Sequence, residues 1–99
     1  MKTITADELL HRMDAGDQFN IVDVREDEEV AQGVIPGAIH IPLGDLEARH
    51  SELDSNKHYI MVCRSGGRST VACEILSEKG YDITNMTGGM LAWNGELQF

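Results

Sequence analysis

An α/β fold, with a central and mostly parallel sheet of four to five strands flanked by helices, is what this sequence predicts. Three observations lead there. Short apolar runs alternate with helix signatures, and the connections between them are short. One run, Tyr59–Val62, is apolar at every position, as a strand buried on both faces would be. A glycine-rich loop then leads from that strand into a helical pattern.

The elements follow in order. Ile4–Met13 opens with a helix start: Thr5 and Glu8 have capping-box spacing, and Ile4 and Leu9 that of a hydrophobic staple. Leu9, Leu10 and Met13 form one apolar stripe, and Gly16 is the stop. Phe19–Val24 (FNIVDV) reads as a strand. The acidic run Glu26, Asp27, Glu28 and Glu29 suits the positive end of a short helix reaching about Gln32, with the acids on a solvated face. Pro36-Gly37 marks a turn, Ala38–Ile41 a short strand that Pro42 ends, and Asp45–Leu53 a weakly patterned helix. After Tyr59–Val62 and the loop comes a helix with Val71, Ala72, Ile75 and Leu76 on one stripe and Gly80 as its cap. Ile83–Met86 is the last strand. Gly88-Gly89 turns into a short helix holding Met90, Leu91 and Trp93.

Length and charge narrow the function. The chain has 99 residues, which fits a single domain spanning 1–99. A domain of this size buries roughly 60–65% of the surface its unfolded chain exposes, enough for one modest core with a site at its edge. The formal net charge of -9 repels phosphate backbones and anionic lipid, so neither nucleic acid nor a membrane is an expected partner. An anionic substrate would need local positive charge against that global field, so each arginine near a candidate site matters. Two cysteines are too few for a disulfide scaffold, which points to reduced thiols. The N-terminal segment has no apolar run of signal or membrane length, and a cytoplasmic location is expected.

The informative stretch is YIMVCRSGGRS at 59–69. A buried strand delivers Cys63 into a loop that opens a helix. In open α/β sheets, ligands bind beyond the carboxyl ends of the strands, where Cys63 stands. Gly66 and Gly67 let the backbone curl so that successive N–H groups point inward as an anion nest. The helix adds its positive end, and Arg64 and Arg68 add full charges. All three stabilise a thiolate, so the Cys63 pKa is expected below the free value of about 8.5. The same features would bind an anionic substrate beside it.

CRSGGRS at 63–69 resembles the active-site loop of rhodanese-like sulfurtransferases. The resemblance covers nearly the whole chain. IVDVR at 21–25, then Glu29 and GVIPGAIHIP at 33–42, is similar to the family's N-terminal signature; Gly80-Tyr81 and GGMLAW at 88–93 are similar to its C-terminal one. Val30 stands where the family commonly has an aromatic, and Val34 where it often has histidine. The resemblance implies a persulfide cycle. The Cys63 thiolate attacks the outer sulfur of a donor such as thiosulfate, sulfite leaves, and a nucleophile such as cyanide or a thiol later takes the sulfur from Cys63. Arg64, Ser65, Gly66, Gly67, Arg68 and Ser69 would bind the substrate, loop N–H groups holding the charged outer sulfur. No metal or organic cofactor is required.

Asp23 and Arg25 sit just past an apolar strand, on the same sheet edge as Cys63 if the strands are parallel. They are expected to support the site: Asp23 would bind loop N–H groups or Arg68, a structural ion pair or turn cap being the alternative. Arg64 is placed near the loop mouth as a substrate contact. Arg68 falls at a helix start, where the dipole disfavours a cation, so it should have a specific partner. Cys73 lies roughly 9 Å along the helix from its start, too far for a bridge to Cys63, and is read as helix packing. The histidines, His11, His40, His50 and His58, have no metal-ligand spacing. Trp93 is read as a core anchor.

Besides a small-molecule sulfur donor and acceptor, a protein persulfide partner is the alternative: the domain would then be a carrier passing sulfur to another protein. A phosphatase or arsenate reductase on the same fold ranks last. Cys63 and Arg68 are separated by four residues, whereas in the family the phosphatases and reductases have five. The shorter loop encloses a smaller volume, suited to one sulfane sulfur.

Overall fold

A computed structural model describes all residues, Met1–Phe99. Five strands, β1 (Lys2–Thr5), β2 (Asn20–Asp23), β3 (Ile39–His40), β4 (His58–Val62) and β5 (Asp82–Thr87), form one sheet in the order β1-β5-β4-β2-β3. Every pairing is parallel. β4, the most apolar run, lies at the centre, as its lack of polar positions requires.

Strand alternation sends side chains to opposite faces. On one face, Val22, Tyr59, Met61 and Ile83 pack with Ala72, Cys73 and Leu76 of α4 (Gly67–Glu78) and with Leu46 of α3 (Leu46–Arg49). On the other, Ile21, Ile60, Val62 and Met86 pack with Ala6 and Leu9 of α1 (Ala6–Asp14) and with Ile35 and Trp93. Full burial of each Val, Leu, Ile or Met side chain among them contributes about 1.5–3 kcal/mol. Trp93 is the anchor its neighbours suggested, and its ring Nε1 donates to the Glu96 carbonyl at 3.0 Å. No helix is long and apolar enough to cross a membrane.

Several elements differ from expectation. Residues Lys2–Thr5 form an edge strand, β1, rather than the helix entry. Three consecutive β-branched residues, Thr3, Ile4 and Thr5, favour strand, and Thr5 both ends β1 and caps α1. Its hydroxyl accepts from the Glu8 N–H at 3.0 Å, but the Glu8 carboxylate takes Arg12 instead of closing the box. The acidic run forms a one-turn α2 (Asp27–Val30), capped reciprocally by Glu26 and Glu29. The expected helix over Asp45–Leu53 breaks into α3 between two 3-10 turns. In α4 the inner stripe is Ser69, Ala72, Cys73 and Leu76, while Val71 is 44% exposed. The helix is rotated so that its first turn presents Ser69, rather than Val71, to the end of β4.

Candidate active site

The site is built where β4 stops. Cys63 follows Val62 directly, and alternation places it on the α4 face with Tyr59 and Met61. The residue is only 1% exposed, so the sulfur lies beneath the loop rather than on the surface. Gly66 makes this enclosure possible. Its φ of +111°, a left-handed conformation that suits glycine, turns the chain back over Cys63 before α4 begins. The Gly66 N–H donates to Cys63 Sγ at 3.0 Å, and Ser69 Oγ lies 3.4 Å from the same sulfur.

A second layer holds the loop from outside. Residues 89–92 form a 3-10 turn whose Met90 and Leu91 N–H groups donate to the carbonyls of Cys63 and Arg64 at 2.9 and 3.0 Å. A Cβ at Gly89 would collide with those carbonyls, so only glycine permits the approach. The GGMLAW segment is thus a brace for the site as well as core.

The electrostatics oppose one another. Burial pushes the Cys63 thiol up. The Ser69 hydroxyl and the N–H groups of Ser69, Gly66 and Ser65 outweigh it, so the thiol sits below its ordinary value. The direction agrees with expectation, and of the three causes expected together it is the loop hydrogen bonds, more than the two arginine charges, that lower the thiol. Arg68 is the reason, because its charge is already matched. Its Nη1 and Nη2 donate to the Glu29 carboxylate at 2.6 and 2.8 Å. The Arg68 guanidinium in turn holds the Glu29 carboxyl at about 2.

The expected site residues therefore divide. Cys63, Ser65, Gly66 and Ser69 converge on the sulfur. Arg64 is exposed beside the loop and makes no ion pair. Arg68 has the specific partner expected of it, but this ties it to α2 rather than leaving it free for substrate. Gly67 opens α4 and makes no hydrogen bond to the sulfur. Asp23 reaches neither the loop N–H groups nor Arg68. It is 1% exposed and receives the Arg25 N–H and Nε at 3.0 Å and Nη2 at 2.9 Å. The turn-cap and ion-pair alternative describes it.

Arg25 carries that pair outward. Its Nη2 donates to the Gly33 carbonyl at 2.8 Å and its Nη1 to the Glu29 carbonyl at 3.3 Å. Asp23 and Arg25 thereby fix α2, and α2 fixes Arg68 through Glu29. Glu29 is the residue that sequence reasoning left on a solvated face. The available signal was Arg68, a cation at a helix start in need of an acid. Beside the loop, Arg64, Met90, Leu91, Trp93 and Leu97 line an open groove of about 350 Å³.

Comparison with known proteins shows what the chain resembles as a whole. A family model described as a rhodanese-like domain matches residues 5–96. The chain is 45% identical to YtwF of Bacillus subtilis, provisionally named a sulfurtransferase, over 99% of this chain and 95% of that one. It is 36% identical to YrkF of the same organism, provisionally named a sulfur carrier protein, over 96% of this chain and 52% of that one. The crystal structure of a rhodanese-like domain protein from Staphylococcus aureus superposes with a TM-score of 0.93 at 41% identity, covering 100% of this chain and 98% of that one.

Proposed function

The chain belongs to the rhodanese-like domain family, and from that premise we propose that it is a sulfurtransferase in which Cys63 carries the transferred sulfur as a persulfide. The observation that carries the reading is the enclosure of Cys63 Sγ by the Gly66 N–H and the Ser69 hydroxyl at the carboxyl end of β4. An N–H aimed at a buried sulfur, with a hydroxyl beside it that can turn to donate, favours the anion over the thiol. The same groups stand where they can hold negative charge on an outer sulfur once the Ser69 hydroxyl turns to it.

In the first half-reaction the Cys63 thiolate attacks the sulfane sulfur of thiosulfate. The new S–S bond forms as the old one breaks, and its electron pair leaves with sulfite. The product is Cys63–S–S⁻. In the second, a thiophilic acceptor attacks the outer sulfur and the pair returns to Cys63. Arg64 meets the anionic donor at the mouth, opposing the charge of -9 carried by the chain. A carrier reading, in which the acceptor is a protein, is favoured by one observation: the groove beside Arg64 is rimmed by the exposed Leu91 and Leu97, more apolar surface than a small anion can use.

Intact-mass measurement after incubation with thiosulfate tests the assignment. One added sulfur is expected on the native chain and on Cys73→Ser, and none on Cys63→Ser. Sulfur loading that survives Cys63→Ser would remove the mechanism.

A further inference from the structure

The Gly66 carbonyl serves three donors. The Thr70 N–H donates to it at 3.1 Å, Thr70 Oγ1 at 2.7 Å and Ser69 Oγ at 3.1 Å. Ser69 Oγ also stands 3.4 Å from Cys63 Sγ. A hydroxyl has one proton, so Ser69 can donate to the carbonyl or to the sulfur, not to both. While Cys63 is a thiol, its S–H donates to Ser69 Oγ and the Ser69 proton goes to Gly66. A thiolate has no proton to give and can only accept. Ser69 must then turn its hydroxyl to the sulfur and leave the carbonyl.

Whether that turn is cheap depends on what stays on the carbonyl beside the Thr70 N–H, because a buried carbonyl left with one donor has an unsatisfied lone pair. Thr70 stays. Its proton has one available direction, since Asn85 Nδ2 already donates to Thr70 Oγ1 at 3.1 Å. Asn85 lies on β5 and is 4% exposed, and its Oδ1 has no partner. An unpaired buried amide oxygen costs stability that an apolar residue of the same size would avoid. What the amide supplies here is the donor that orients Thr70.

We propose that Thr70, aligned by Asn85, is a positioning residue: it holds the Gly66 carbonyl and so frees the Ser69 hydroxyl to donate to the Cys63 sulfur when that sulfur is an anion. The inference rests on the reading of Cys63 as the reacting thiolate. The charged groups on the elements around Cys63 include Arg64 in the loop, Arg68 paired with Glu29 of α2, the Asp23–Arg25 pair at the end of β2, Glu74 and Glu78 further along α4, and Asp82 at the start of β5. None of their side chains is hydrogen-bonded to Ser69 or Thr70.

The test is the pH dependence of Cys63 carboxamidomethylation by iodoacetamide, read by site-resolved mass on the full chain. Thr70→Val should raise the midpoint by roughly one pH unit, a tenfold loss of thiolate at a fixed pH below it. Thr70→Ser, which keeps the hydroxyl, should restore the native midpoint. In a Ser69→Ala background, Thr70→Val should add nothing, because the hydroxyl it frees is gone. A Thr70→Val midpoint equal to the native one, or an equal rise with Ser69 absent, overturns the proposal. Should Thr70→Val fail to fold, Asn85→Ala removes the aligning donor together with the unpaired oxygen. It must raise the midpoint only while Ser69 is present, and no rise again overturns the role. A native midpoint at or above the ordinary thiol value would sink the thiolate reading itself, whereas a low midpoint unmoved by these changes sinks only the part given to Thr70.

Discussion

Cys63 and Cys73 are both buried and both free, yet their surroundings drive their thiols in opposite directions. Burial raises Cys73 to about 11, with Glu74 adding to it and no hydrogen bond to offset it. The same burial at Cys63 is overcome by the loop donors. Reactivity is thus a property of the N–H groups around a sulfur, not of its exposure. Arg64 is the complementary case, an exposed charge that no acid of the chain neutralises. Water screens it, so its contribution to binding is modest. Arg64→Ala should lower kcat/KM for thiosulfate about five- to tenfold and affect an uncharged organic persulfide donor less. Equal losses for the two donors in steady-state assays would show that Arg64 shapes the loop instead.

Among the elements, the decisive contact is between α2 and α4. The one-turn α2 would be marginal alone. It is held by Arg25, which Asp23 orients, and it presents Glu29 to Arg68 at the first turn of α4. Glu29 has a depressed carboxyl, so its contribution to stability is present above its ordinary value of 4.5 and is lost as pH falls through about 2. Glu29→Gln should therefore unfold at a lower temperature than the native chain, by an amount corresponding to about 1 kcal/mol, at any pH above 4.5. The difference should shrink as the solution is acidified towards pH 2. Thermal melts of both proteins across that range check the prediction, and a gap that persists at pH 2 would assign the effect to packing.

At the scale of the molecule, the sheet divides the core into two faces, and Cys73 lies in the α4 face with no exposed surface. Its raised pKa has the opposite linkage to that of Glu29. The neutral thiol is favoured in the folded state, so its contribution is complete below the ordinary value of 9.0 and is lost as pH rises through about 11. The native chain should lose stability between pH 9 and 11 more steeply than Cys73→Ala, which has no thiol to ionise. Denaturant titrations at several alkaline pH values measure this, and parallel declines would mean that Cys73 titrates alike in the folded and unfolded chains.

The sequence alone determined what short-range chemistry can encode. The all-apolar run at 59–62, the cysteine at its end, the turn at Gly66 and a helix start beyond it are local facts that survive in the fold, whereas Gly67, expected in the turn, is already helix. They were legible because periodicity, turn residues and caps act over a few positions. Tertiary structure decided the partners. Glu29 and Arg68 are 39 positions apart, and only the strand order, with β4 between β5 and β2, brings α2 beside α4. The same placement left Asp23 to Arg25 instead of the loop and turned Ser69 inward with Val71 outward. Ion pairs and helix rotation depend on which surfaces meet, and no local pattern in Glu26–Glu29 distinguishes the acid that will be bound from those that remain in water.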